Sequence, residues 1–172
     1  MQSLMTWLGF GRADDTLAHT PLRELVDALD RVEPERARYL ARFAYLLGRV
    51  AHADRRVTAE ETQAMERLVH EQGGIDEQQT MLVVSLAKNS NLMFGGTADY
   101  VIAREFGDTA SYDEKLALAR CLFAVASTDE AISMAEETEI HRILNVLKIQ
   151  PGDLTALRVE HKSFLPGLSP KR

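Results

Sequence analysis

From Thr20 onward, apolar residues return every three or four positions, the spacing of helices that turn one face to a core. Thr20 and Pro21 supply an N-cap and a proline at the first helical position. Leu22, Leu25, Val26 and Leu29 then share a face, and this helix is expected to stop near Val32. Pro34 opens a longer helix, to about Ala53, on which Leu40, Phe43, Ala44, Leu47, Val50 and Ala51 form one stripe. Thr58-Ala59-Glu60-Glu61 reads as a capping box before Met65, Leu68 and Val69, and Gly73-Gly74 stops that helix. Asp76 and Gln79 start a fourth helix carrying Met81 to Ala87. A fifth is expected from Thr97 to Phe106, closed by Gly107. Ser111 caps a sixth helix, whose Leu116, Leu118, Cys121, Leu122, Phe123 and Val125 point in nearly every direction and require burial on most sides. Ser133 caps a seventh, with Ile140, Ile143, Leu144 and Leu147 inward, and Pro151 opens a last one that decays into FLPGLSPKR. No alternating strand pattern appears. The pattern predicts an all-α bundle of seven to eight helices: residues 20–163 form one domain, between a flexible N-terminal segment (1–19) and a flexible C-terminal tail (164–172).

The chain also repeats itself. Shifted by 75 positions, Leu47 falls on Leu122, Val50 on Val125, Ala51 on Ala126 and Asp54 on Asp129. Val57 falls on Ile132, Thr58 on Ser133, Glu61 on Glu136, Met65 on Ile140 and Leu68 on Ile143. Each copy is a helix ending in V-A-x-x-D, a tight turn, a β-branched residue and a hydroxyl-capped helix with glutamate at its third position. Two such hairpins are expected to bury their apolar faces on each other, with the remaining helices closing the bundle.

Composition narrows the function. The 172 residues hold 20 Lys and Arg against 26 Asp and Glu, a net charge of −6 and a pI near 5.4. That balance argues against nucleic acid as a partner, because neutralising phosphates needs a concentrated positive surface. No apolar run approaches the roughly 20 residues of a membrane span. Residues 1–10 carry Leu4, Met5, Trp7, Leu8 and Phe10, but no Lys or Arg precedes Arg12 to hold anionic lipid. Folding back onto the domain, or fraying, is expected rather than peripheral membrane contact. With one cysteine, Cys121, and neither the basic start nor the cleavage site of a secretory signal, the expectation is a cytoplasmic protein. Cys121 sits among apolar neighbours as a small hydrophobe, the five histidines show no H-x-x-x-H spacing, and no glycine-rich phosphate loop occurs, so no catalytic residue is assigned.

The pairing of VAHADRRVTAEE with VASTDEAISMAEE resembles the twin acidic signatures of the TerB-like domain, named from tellurite-resistance proteins and similar to the amino-terminal region of the DjlA co-chaperones. The similarity spans roughly residues 35–160. It implies an all-helical domain with a pseudo-repeat, linked to metal, oxyanion and other stress responses, with no established reaction. Where family members often carry glycine after the signature aspartate, this chain has Arg55 and Glu130; the His-Pro-Asp motif of a J-domain is absent.

Two sets of residues are candidates for binding. Asp54, Glu61, Asp129 and Glu136 offer hard oxygen ligands at equivalent ends of the two hairpins, where a divalent cation could be shared. Neither copy is an EF-hand loop, and helix capping accounts for the same acids. On the second helix Arg38, Arg42, Tyr45, Arg49 and His52 form a stripe opposite Leu40, Phe43 and Leu47. It reads either as a site for an anionic or acidic protein partner or as the solvated back of the helix. The seventh helix gathers Glu136, Glu137 and Glu139 with no Lys or Arg before Arg142, again a solvated face or a dock for a basic partner. The expected role is a non-catalytic adaptor in tellurite, metal or general stress response, with a metal-ion sensor or buffer as the alternative.

Overall fold

The computed structural model describes residues 21–53, 57, 59–89, 98–128 and 131–165. These form eight helices: α1 (Pro21–Leu29), α2 (Pro34–Ala51), α3 (Ala59–Gln72), α4 (Glu77–Asn89), α5 (Ala98–Thr109), α6 (Tyr112–Ala126), α7 (Met134–Leu147) and α8 (Pro151–Glu160). No strand occurs among the described residues, and no helix among them is long and apolar enough to cross a membrane.

The repeat governs the packing. Helix α2 ends at Ala51 and α6 at Ala126, while α3 and α7 begin at Ala59 and Met134 and end at Gln72 and Leu147, so the 75-residue register holds at these three boundaries of the hairpin; only the starts of α2 and α6, at Pro34 and Tyr112, depart from it. The contacts cross over: α3 lies on α6 and α7 on α2, with α2 and α6 touching between them. The register extends one helix further than the sequence pattern announced, since α4 lies on α2 as α8 lies on α6. Ser111 and Ser133 form complete capping boxes with Glu114 and Glu136, and the Gln79 N–H donates to Asp76 at 2.9 Å.

Helix α2 occupies the centre, packed by α4, α5, α6 and α7. Its Arg36 meets Gln79 at the start of α4, and His52 reaches the Ala87 and Lys88 carbonyls near the end of α4, so the two helices run parallel. Leu40, Phe43, Leu47 and Val50 are fully buried, as are Leu118, Cys121 and Leu122 on α6. Near the beginning of α2, Tyr39 stacks on Phe106 with ring centres 5.5 Å apart, and Phe43 meets Phe106 edge-on at 6.4 Å. Such aromatic pairs contribute about 0.5–1.5 kcal/mol beyond area burial.

Three local expectations change. Helix α1 stops at Leu29, three residues before Val32. Helix α5 does not end at Phe106: it runs through Gly107 to Thr109, because Phe106 is fully buried and Gly107 lies against α7, 3.5 Å from the Val146 carbonyl oxygen at the position a Cβ would take. Past α8 the chain stays packed as far as Leu165: His161 stacks on Phe123, the Ile132 N–H donates to the Phe164 carbonyl at 2.7 Å, and Leu165 is buried. The segments 1–19 and 166–172 lie outside the described residues.

Two glycines separate steric need from tolerance. A Cβ at Gly73 would stand 2.5 Å from the Val69 carbonyl oxygen, whereas one at Gly152 on α8 would meet nothing within 4 Å. Gly73→Ala is expected to destabilise by about 1–3 kcal/mol through overpacking, and Gly152→Ala to stabilise by about 0.5–1 kcal/mol through helix propensity. Thermal unfolding of the two variants beside the parent checks both signs.

Candidate functional site

The corners where α2 turns into α3 and α6 into α7 come together. Glu61 on α3 and Glu136 on α7 line one small cleft with Ala51, Val57, Met65, Val125 and Thr128. The cleft measures about 10 Å³, close to the space one water-sized sphere needs. Glu136 is buried at 7% exposure; its Oε2 accepts the Ser133 N–H at 2.7 Å while the Ser133 Oγ accepts the Glu136 N–H at 3.1 Å. One oxygen of Glu136 is therefore committed to capping α7. Asp54 and Asp129, the other acids of the predicted cation set, lie outside the described residues, as does Thr58, the proposed cap of α3. Among the described residues, no three His, Cys, Asp or Glu side chains gather as metal ligands. A cation at this cleft would therefore need the loop aspartates or water beside the two glutamates.

The charged stripe of α2 is no solvated back. Arg42 and Tyr45 are buried, at 7% and 5% exposure, because α5 and α7 cover that side of the helix. Arg42 donates to Glu105 at 3.1 Å and to Thr109 at 3.3 Å. The Tyr45 hydroxyl donates to Asp99, whose other oxygen pairs with Arg49 at 3.0 Å. The Arg49 Nε donates to Glu139 at 3.1 Å, and Glu139 also takes Arg142 at 3.3 Å. The anionic counterpart of Arg42, Tyr45 and Arg49 is thus supplied within the chain by α5 and α7. Arg38 stands apart, half-exposed and paired with Glu35 on its own helix. His52 joins the stripe differently, with Nε2 at 2.9 Å from the Lys88 carbonyl, capping α4.

The acids of α7 correct a second expectation. Glu136 and Glu139 are buried, and Glu137 pairs with Arg158 at 2.7 Å, so this face packs against α2, α5 and the α8 arginine rather than standing in water. Sequence reasoning missed Asp99, Glu105 and Glu139 as the partners of the stripe. For Glu139 the available signal was the row of acids on α7, opposite in sign to the arginines of α2; Asp99 and Glu105 on α5 carried none.

Electrostatics follow the geometry. Burial and the hydrogen bond to Asp99 hold the Tyr45 phenol well above its ordinary range, so it stays a donor. Burial works against the Arg49 charge, but Glu139 and Asp99 outweigh it and the guanidinium is held more firmly protonated than usual. Burial pushes the Cys121 thiol up to about 12, which leaves almost no thiolate near neutral pH.

Beside this network lies a larger cavity of about 210 Å³ between α5 and α7. Leu46, Ala103, Ile143 and Val146 give it apolar walls, with Tyr100 at one edge.

Replacing Arg49 by Met removes the cation between Asp99 and Glu139. The expected cost is about 2–3 kcal/mol, below the ~3–5 kcal/mol of a fully buried pair because the Arg49 side chain keeps 32% of its surface in water. Arg38→Met, in an exposed pair, is expected to stay within about 0.5 kcal/mol of the parent; urea denaturation compares the two. Cys121 is expected to resist iodoacetamide in the native protein and to react once the chain is unfolded in urea, as mass spectrometry of the alkylated product would show.

Comparison with known proteins agrees with this architecture. Neither a search of curated proteins nor one of solved structures found a match. The family model described as tellurite resistance protein TerB matches residues 21–159, from the start of α1 to the last turn of α8. With both hairpins and the helices that close them inside that span, the chain belongs to the TerB family.

Proposed function

We propose that this chain is a non-catalytic binding module of the cytoplasm, an adaptor in the response to tellurite, metals or general stress. The observation that carries the reading is the meeting of Glu61 and Glu136, one from each repeat, in a single cleft between two packed hairpins. A bundle whose copies each contribute an acid to one place presents a fixed negative feature that a basic segment of a protein partner can recognise. Cys121, buried as a thiol, is not offered to a substrate as a nucleophile.

The size of the cleft favours a second reading: a divalent cation held by Glu61 and Glu136 together with Asp54 and Asp129, in a sensor or buffer. A cation bound only by the folded chain raises the melting temperature by mass action. In the cation reading, calcium, magnesium, manganese or zinc raises the melting temperature of the parent and leaves that of an Asp54→Asn/Asp129→Asn variant unchanged. Identical melting curves with and without every cation remove it. In the adaptor reading, a recurrent protein partner co-purifies with the parent and is lost with Glu61→Gln/Glu136→Gln. Capture that is indifferent to both substitutions removes the cleft as the recognition surface.

A further inference from the structure

The cavity between α5 and α7 joins apolar walls to a cation at its mouth. Leu46 from the central helix, Ala103 from α5 and Ile143 and Val146 from α7 form the walls. An engineered apolar cavity of about 150 Å³ accommodates benzene. The cavity here, about 210 Å³, has room for one ring with a short substituent. Tyr100, 62% exposed, and Arg142, whose side chain keeps 61% of its surface in water, stand where the cavity meets solvent. Small-molecule sites commonly have this form, a concave apolar space with a few polar groups on one side.

The hydrogen bonds on that side decide which polar group a ligand must carry. Asp99, Arg49, Glu139 and Arg142 line the cavity in a run of alternating sign, joined at 3.0, 3.1 and 3.3 Å. Each carboxylate oxygen in the run already accepts a donor: Asp99 takes Tyr45 and Arg49, and Glu139 takes Arg49 and Arg142. Arg49 is held from both sides. Arg142 is held from one. A guanidinium offers five N–H donors, and among the described residues those of Arg142 meet Glu139 alone, through Nη1. The run therefore ends at the mouth in surplus donors and no surplus acceptor. A cationic ligand would find both carboxylates engaged and would have to displace an arginine. An uncharged hydrocarbon would leave the remaining Arg142 donors to water. A carboxylate continues the alternation, accepting N–H bonds from the rest of the Arg142 fork while Glu139 keeps its own.

We propose that the α5–α7 cavity binds a small free monocarboxylate bearing one apolar ring, with the ring against Leu46, Ala103, Ile143 and Val146 and the carboxylate on Arg142. The site is separate from the acidic cleft and independent of what that cleft binds.

Phenylacetate is the probe. Acetate carries the charge without the ring, benzyl alcohol the ring without the charge, and benzylamine the ring with the opposite charge. Ligand-observed NMR on the full chain reads binding, and thermal unfolding reads its linkage to folding. Phenylacetate is expected to bind saturably and to raise Tm. Benzyl alcohol is expected to bind about ten-fold more weakly, the scale of a charge-assisted hydrogen bond, and acetate and benzylamine to show no saturable binding. Arg142→Gln leaves Glu139 held by Arg49 and is expected to weaken phenylacetate by about ten-fold, to the level of benzyl alcohol. Val146→Phe fills the cavity and is expected to abolish binding of both. Arg104→Gln, at an exposed arginine of α5 outside the cavity walls, leaves the affinity unchanged. Absence of saturable phenylacetate binding overturns the proposal. So does benzyl alcohol or benzylamine binding as tightly as phenylacetate, which removes the anion from the site, or acetate doing so, which removes the ring. Affinity indifferent to Arg142→Gln, or to a folded Val146→Phe, also overturns it. If Val146→Phe unfolds, nuclear Overhauser contacts between the phenylacetate ring and the methyl groups of Leu46, Ile143 and Val146 take its place, and their absence overturns the proposal.

Discussion

The salt bridges that hold Arg49 between Asp99 and Glu139 are the constraint on which the arrangement of the bundle depends. Helix α2 is packed by four other helices, yet its sequence carries arginines on more than one side. A charge taken out of water without a partner is too costly for a domain of ordinary stability to carry. Helices α5 and α7 must therefore approach α2 with carboxylates in register, and that requirement fixes their positions along it. Arg42 and Glu105 repeat the device at the other end of α5, so α5 is pinned at both ends, antiparallel to α2. The hydrophobic core supplies the drive to collapse. The ion pairs select which collapsed arrangement is satisfied.

Much of this fold was legible along the chain. Hydroxyl caps at Ser111 and Ser133, the stop at Gly73-Gly74 and the 75-residue register are local signals, and each is set by the residues that display it. The charged faces of α2 and α7 were not legible in the same way. A row of arginines on one helix and a row of glutamates on another each read as surface, because a charged residue is seldom fully buried unless paired. The pairing partner of Arg49 lies 90 positions away, and that of Tyr45 lies 54 away, beyond the reach of any periodicity argument. The same holds for Gly107, a stop signal on composition that lies inside α5 at ordinary packing distance from α7. Lys148 ends α7 in the left-handed conformation with φ of 57°, a position where a glycine is the ordinary signal and none was present to read.

The acidic cleft is a different case. The register implied that Glu61 and Glu136 are equivalent, and equivalence together with crossed packing puts them at one place, a consequence of duplication rather than of chemistry visible at either position. What the register did not contain is the double duty of Glu136, which closes a capping box with one oxygen and faces the cleft as well. Any role at this cleft is therefore coupled to the stability of the first turn of α7.

The backbone bond between Ile132 and Phe164 extends that coupling to the far end of the chain. In the register of the repeat, residues 161–164 correspond to Leu86–Asn89, the last turn of α4, but here the helix has already ended and the backbone folds back beneath the later corner. Two halves that share one pattern thus finish differently: the later one is moored by its own trailing residues. The two acidic corners are therefore not interchangeable, and shortening the carboxyl end is felt first at the later one.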